Sequence, residues 1–186
     1  MRGRRAMLAA VLALACAAQA AAQTDVHAMF DQAERDGRVG LARKTMPVDA
    51  RPAQPGEVVV TVIAGEGKET QSPPAQPGDM VVRNRCPATG NEEILVGAAK
   101  FGERYDGPTG PAGADGWLPY RPRGVEMLYF LVRSDEGPFS FIAPWGEAMI
   151  ATPGDAIVRD PNNPKDTYRI AVAAFACTYE ILRPAP

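Results

Sequence analysis

A short phrase that occurs twice constrains this chain more than any other feature. Pro77-Gly78-Asp79 and Pro153-Gly154-Asp155 each open a segment that continues into apolar residues with strand character. Further along, each segment carries two aromatic residues four positions apart, Phe101 with Tyr105 and Phe175 with Tyr179. A spaced pattern that recurs at nearly one offset indicates an internal duplication, so we expect two copies of one small unit.

The repeated phrase has the composition of a tight turn that leads into a strand. Proline fixes φ, glycine tolerates a positive φ, and an aspartate side chain accepts hydrogen bonds from backbone N–H groups one or two residues later. We therefore expect Asp79 and Asp155 to hold turns. The alternative, a pair of catalytic or metal-binding carboxylates, lacks support because neither aspartate has His, Glu or Cys at ligand spacing beside it.

Short β-branched and aromatic runs separated by Gly and Pro predict a mainly β chain, a β-rich α+β fold. We expect two related β-roll or barrel-like units after a short N-terminal helix. The helix is predicted over 24–44, where Asp25 can cap its start and the apolar residues that follow repeat at helical spacing. The predicted organisation is a helix and Pro-rich linker over 23–56, a first unit over 57–106, a Gly/Pro linker over 107–124 and a second unit over 125–186.

The first 22 residues predict export. Three arginines precede an apolar run over 6–17, and small-x-small cleavage sites follow it, as in a secretory signal peptide. We expect a periplasmic or secreted protein that keeps no transmembrane segment after cleavage. A second interpretation is a lipoprotein attached through Cys16, because Leu14-Ala15-Cys16 resembles a lipobox.

The charge balance argues against a nucleic-acid partner. The chain has 20 Lys and Arg against 22 Asp and Glu, and the predicted signal contains three of the arginines and no acid. The remaining chain is acidic and shows no cluster of basic residues, which a phosphate backbone would require.

Two cysteines, Cys86 and Cys177, remain outside the predicted signal, one in each predicted unit. In an oxidising compartment such a pair is a disulfide candidate that would cross-link the units. Two free, partly buried thiols are the alternative, because sequence spacing does not show whether the Cβ atoms meet.

The second segment resembles the PGDYG domain, a small uncharacterised domain of phage and bacterial proteins. The resemblance covers residues 141–181 and rests on Pro153-Gly154-Asp155, Tyr168, Phe175 and Tyr179. A degenerate first copy lies around 57–107, with Ile94 where the family has tyrosine. The resemblance implies a small β-rich fold and brings no catalytic residues.

Residues for familiar enzyme chemistry are scarce. His27 is the only histidine, and we assign no catalytic residue, no metal site and no cofactor. Trp145 and Trp117 are the candidates for binding, although aromatic residues of this kind also fill cores. We expect a non-enzymatic structural or binding module whose partner is a protein or an envelope ligand. The alternative is a small cell-envelope hydrolase that uses a pair of carboxylates.

Overall fold

The computed structural model describes residues 23–186, so the predicted signal peptide and Cys16 lie outside the described residues. The prediction of a mainly β chain with an N-terminal helix is confirmed. The helices are α1 (Val26–Arg35), α2 (Ala98–Arg104) and α3 (Val172–Thr178), with a short 3₁₀ helix at Pro87–Thr89. The strands are β1 (Gly40–Lys44), β2 (Val48–Pro52), β3 (Val60–Ile63), β4 (Gly67–Gln71), β5 (Met80–Asn84), β6 (Glu93–Val96), β7 (Tyr105–Asp106), β8 (Leu118–Pro122), β9 (Glu126–Leu131), β10 (Phe139–Ile142), β11 (Ala148–Ala151), β12 (Ala156–Asp160), β13 (Asn163–Ile170) and β14 (Tyr179–Arg183).

Two five-stranded antiparallel sheets with the same layout dominate the described chain. Sheet A has the strand order β6-β5-β2-β8-β7, and sheet B has the order β13-β12-β9-β1-β14. Each sheet is accompanied by a two-stranded hairpin, β3-β4 for sheet A and β10-β11 for sheet B. We call sheet A with its hairpin and α2 the first unit, and sheet B with its hairpin and α3 the second unit.

One strand of each unit comes from the other half of the sequence. β1 precedes the strands of sheet A along the chain, yet it pairs with β9 and β14 in sheet B. β8 precedes the strands of sheet B, yet it pairs with β2 and β7 in sheet A. The units therefore exchange strands reciprocally, and they cannot separate without breaking backbone ladders.

Both exchanged strands lie in segments for which we expected no strand. β1 falls where the apolar pattern over 24–44 suggested a helix, and β8 falls inside the predicted linker over 107–124. The segment over 23–56, predicted as a helix followed by a Pro-rich linker, also contains β2, a central strand of sheet A. Prolines obscured β2, because Pro47 and Pro52 stand at its ends, where they interrupt no ladder between central residues.

Gly40 shows why β1 has so little apolar character. A Cβ at this position would lie 2.5 Å from the Tyr129 ring and 2.6 Å from the backbone oxygen of Arg183. The strand is packed so closely between β9 and β14 that only glycine fits there.

Helix α1 covers one face of the second unit. The Asp25 carboxylate accepts hydrogen bonds from two backbone N–H groups of the first turn, each at 3.0 Å, which satisfies donors that a helix start leaves free. Its apolar stripe enters the core that contains Phe130 and Phe141. The helix ends at Arg35, shortly before Gly37 with φ +68°. His27 lies on its exposed side.

Candidate functional site: a cleft between the two units

The first Pro-Gly-Asp turn joins a strand to a helix. The backbone N–H of Asp79 donates to the carbonyl of Gln76, and Gly78 has φ +90°, as a type II turn requires. Asp79 Oδ2 accepts from the Gln76 N–H at 2.8 Å, and its Oδ1 accepts from the N–H of Ala98 at 3.1 Å. Ala98 is the first residue of α2, so this aspartate fixes the start of that helix beside β5.

The second turn has the same geometry. Gly154 has φ +96°, and Asp155 Oδ2 accepts from the Thr152 N–H at 2.7 Å while Oδ1 accepts from the Val172 N–H at 3.1 Å. Val172 is the first residue of α3. Both aspartates thus accept backbone N–H bonds, but the donors lie three residues earlier and at a helix start, whereas we had expected donors one or two residues later.

The two aromatic pairs also occupy corresponding places. Phe101 stacks on Tyr105 and Phe175 stacks on Tyr179, with ring centroids 5.1 Å apart in each pair. Each tyrosine follows the last residue of its helix and begins a strand. Each helix is therefore followed by a tyrosine that lines the space between the units.

That space is a cleft with a volume of about 460 Å³. It is bounded by β6 and α2 of the first unit and by β13, α3 and the β10-β11 hairpin of the second. Much of its wall is apolar, and the side chains include Ile94, Val96, Pro144, Trp145, Met149 and Ile170. A mainly apolar cleft of this size with a few converging polar groups is typical of small-molecule binding sites.

Three tyrosines and two cations form what we call the polar floor of the cleft: Lys44, Arg104, Tyr105, Tyr168 and Tyr179. Lys44 Nζ lies 3.3 Å from the Tyr105 hydroxyl, and Arg104 Nη1 lies 3.0 Å from the Tyr168 hydroxyl. Burial raises the pKa of Tyr179, and the neighbouring Tyr168 and Tyr105 raise it further. Tyr179 therefore remains protonated as a hydrogen-bond donor well above neutral pH.

Lys44 is connected to a buried carboxylate through an amide. Its Nζ donates to Asn84 Oδ1 at 2.5 Å, and Asn84 Nδ2 donates to Glu92 Oε1 at 2.7 Å. The Thr89 hydroxyl donates to the other oxygen of Glu92. Because both Glu92 oxygens have donors and the side chain is buried, this carboxylate is held in one orientation.

A second charged contact, between Asp166 and two cations of α2, connects the two units beside the polar floor. Asp166 of β13 lies 2.7 Å from Arg104 Nη2 and 2.7 Å from Lys100 Nζ, and both cations belong to α2. The Asp166 side chain is only 4% exposed. The paired cations offset the cost of burying this carboxylate and tie α2 to sheet B.

Arg169 binds three carboxylates at one end of the cleft. Its guanidinium lies 2.7 Å from Asp155, 2.9 Å from Glu69 and 2.6 Å from Glu66, and its side chain is 4% exposed. Burial acts to lower the pKa of Arg169, but hydrogen bonds to Asp155 and Glu66 outweigh it and raise that pKa. Glu66 and Glu69 belong to the β3-β4 hairpin of the first unit, and Asp155 belongs to the Pro-Gly-Asp turn of the second. Arg169 therefore links that hairpin to that turn.

Glu69 is a carboxylate that its surroundings destabilise. Burial raises its pKa to about 7, although Arg169 acts to lower it, because Glu92, Glu66 and Asp155 add negative charge nearby. One guanidinium shared by three carboxylates neutralises none of them fully. The Glu69 side chain, which lines the cleft, therefore gains or loses its proton near neutral pH.

We expect Glu69 to make stability fall as pH rises from about 4.5 to about 7. In that window the folded protein keeps a proton that the unfolded chain has released, so deprotonation favours unfolding. Glu69→Gln should remove this slope and be more stable than wild type by about 1–3 kcal/mol at pH 8, measured by denaturant unfolding. The exposed Glu103→Gln is the control. Parallel wild-type and Glu69→Gln stability profiles would contradict the expectation.

The two tryptophans named from the sequence have different surroundings. Trp145 lines the cleft, half-buried, and its Nε1 donates to Thr70 Oγ1 at 3.2 Å. Trp117 is buried in sheet A, with the guanidiniums of Arg83 and Arg51 lying 4.3 and 5.2 Å from its ring centroid. Its ring thus presents little surface to a ligand, and the structure places only Trp145 in the cleft.

The structure joins Cys86 and Cys177 in a disulfide, with Cα atoms 5.9 Å apart. The bond connects the residue before the 3₁₀ helix of the first unit to α3 of the second. Within residues 23–186, no group of three or more His, Cys, Asp or Glu side chains is arranged to hold a metal ion.

Sequence reasoning missed six charged residues that line the cleft: Lys44, Glu69, Lys100, Arg104, Asp166 and Arg169. No local motif marks them, because their partners lie far away along the chain. The sequence places Arg169 between Tyr168 and Ile170, where strand alternation predicts a charged residue on the exposed face, yet the structure buries it. A charged residue at such a place requires an ionic partner from elsewhere in the fold.

Comparisons with family models, curated proteins and solved structures found no match to this chain. The resemblance to the PGDYG domain therefore rests on the motif residues alone. Across the part of the chain that the structure describes, no helix combines the length and apolar character needed to cross a membrane.

Proposed function

We propose that this chain is an exported, non-enzymatic envelope protein whose two PGDYG-like units arose by duplication and together hold a small ligand. The observation that carries the proposal is the cleft of about 460 Å³ between the units. Its apolar walls surround a small set of converging polar groups, which is the usual composition of a binding pocket. The exchanged strands hold both walls in place, so the cleft is largely formed before a ligand enters.

The carboxylates around the cleft support binding over hydrolysis. Asp166 is engaged by two cations, Glu92 by two hydrogen-bond donors, and Asp79 by two backbone N–H groups. Groups held in this way stabilise the fold and set the shape of the site. The disulfide supports export, because such bonds persist in oxidising compartments.

The binding proposal predicts that one apolar fluorescent probe, N-phenyl-1-naphthylamine, binds per chain with saturation. Trp145→Ala should weaken this binding by about tenfold, because it removes an aromatic wall of the cleft. Ile150→Ala is the matched control, since Ile150 belongs to the same hairpin, is 61% exposed and does not line the cleft. Fluorescence titration measures both affinities. Equal losses in the two variants would overturn the proposal, as would an absence of saturable binding of both this probe and aliphatic ligands.

A carboxylate-dependent hydrolase remains the second candidate function, because Glu69 lines the cleft with a pKa of about 7, which suits a general acid. If this candidate is correct, the protein hydrolyses an envelope polysaccharide, and the plot of its rate against pH has a limb near pH 7. Glu69→Gln must remove that limb while Glu103→Gln keeps it. Turnover that is the same in wild type and Glu69→Gln would eliminate the candidate.

A further inference from the structure

The polar floor of the cleft has hydrogen-bond donors left over. A lysine ammonium has three N–H donors, and Lys44 uses one on Asn84 Oδ1 and one on the Tyr105 hydroxyl. Among residues 23–186, no carboxylate oxygen lies within 4 Å of Lys44 Nζ, although its side chain is half-buried. The third donor and the positive charge therefore lack a direct anionic partner.

The tyrosines of the polar floor add donors of their own. The oxygen of Tyr105 accepts from Lys44, and the oxygen of Tyr168 accepts from Arg104. A phenol that accepts a hydrogen bond from a cation still has its O–H proton to donate. Tyr179 keeps its own proton, because burial raises its pKa.

The nearby acceptors are already in use. Asn84 Oδ1 accepts from Lys44, both oxygens of Glu92 have donors, and Asp166 is held by Lys100 and Arg104. A site that presents an ammonium and phenolic O–H groups, with its own acceptors occupied, is complementary to an oxygen-rich anion.

We infer that the ligand of the cleft is an anionic amphiphile whose carboxylate or phosphate head group binds Lys44 and the Tyr105 and Tyr168 hydroxyls. The apolar body of the ligand lies along the walls that Trp145 and Met149 help to form. The inference rests on the proposed function because it uses the same cleft. It adds the chemical class of the ligand and the residue that recognises the charge.

The test compares three ligands with the same ten-carbon chain: decanoate, decyl phosphate and decanol. Isothermal titration calorimetry with the wild-type protein should show at least one of the two anions binding about tenfold or more tightly than decanol. The tighter of the two anions identifies the head group as carboxylate or phosphate. This comparison needs no variant, so it does not depend on how any substitution folds.

Two variants then locate the recognition. Lys44→Met keeps the apolar stem and removes the charge, so it should abolish the preference for the anion and lower the affinity for decanol far less. Tyr168→Phe should weaken the anion by a few fold and decanol by less. The control is Lys68→Met, because Lys68 is an exposed residue of β4. This variant should bind all three ligands as wild type does. A preference for the anion that survives Lys44→Met would refute the assignment of Lys44.

The results separate this inference from the proposed function. If decanol binds as tightly as both anions, the cleft binds a ligand but the anionic class is wrong. If N-phenyl-1-naphthylamine binds while none of the three decyl compounds does, the inference again fails and the binding proposal stands. If neither the probe nor any decyl compound binds, the proposed function fails as well.

Discussion

Asp155→Ala should lower the free energy of unfolding by about 3 kcal/mol or more, which corresponds to a fall in melting temperature of roughly 10 °C. The Asp155 side chain is fully buried and is the meeting point of three structural elements. It accepts from the Thr152 N–H and hydroxyl, from the Val172 N–H and from Arg169. Alanine would leave these buried donors without their acceptor.

Asp79 provides a matched control inside the same molecule. It makes the corresponding backbone bonds to the Gln76 and Ala98 N–H groups, but it is only half-buried and has no arginine partner. Asp79→Ala should therefore cost only about 1 kcal/mol, as the loss of a helix cap does. Equal losses at the two positions would show that the ionic contact with Arg169 contributes nothing.

Asparagine should distinguish the two positions more sharply. At position 79 it keeps an acceptor oxygen for a backbone N–H, so Asp79→Asn should cost less than Asp79→Ala. At position 155 the NH₂ group would face the N–H donors of Arg169 or Val172, so Asp155→Asn should cost nearly as much as Asp155→Ala. Denaturant unfolding of the four variants measures these differences. For a turn aspartate considered alone, asparagine would have a mild effect at position 155 too, because its amide oxygen can still accept a backbone N–H.

Reduction of the Cys86–Cys177 disulfide should lower the free energy of unfolding by about 4 kcal/mol. The two residues are 91 positions apart, and in the chain-entropy model a cross-link over such a loop restricts the unfolded chain strongly. The melting temperature should fall by roughly 8–16 °C. The reduced protein should nevertheless remain folded near room temperature, because the exchanged strands β1 and β8 still connect the units.

The double variant Cys86→Ala/Cys177→Ala is the control for this experiment. It should melt near the reduced wild-type protein and should not respond to the reductant. Differential scanning fluorimetry gives the melting temperatures, and a thiol titration shows whether the bond has been reduced. If the wild-type protein with two titratable thiols melted at the temperature of the oxidised protein, the cross-link would not stabilise the fold.

Local sequence determined the features that depend on neighbouring residues. Short β-branched and aromatic runs indicated a mainly β chain, and the apolar spacing after Asp25 indicated a helix. The Pro-Gly-Asp phrase indicated a turn with an aspartate acceptor, because proline fixes φ and glycine permits the positive φ of a tight turn whatever the rest of the fold does. The aromatic spacing singled out Phe101 and Tyr105 as a pair, and their rings stack.

Only the tertiary structure decided which strand joins which sheet. The pairing of β1 with β9 joins residues far apart along the chain, and a five-residue strand carries no local mark of its partner. The cleft follows from that exchange, since Lys44 at the end of β1 meets Asn84 and Tyr105 of the first unit only when β1 lies in sheet B. In a sequence, a charged residue is expected to lie on the exposed surface. It becomes part of a buried site only when the fold brings it partners from distant parts of the chain.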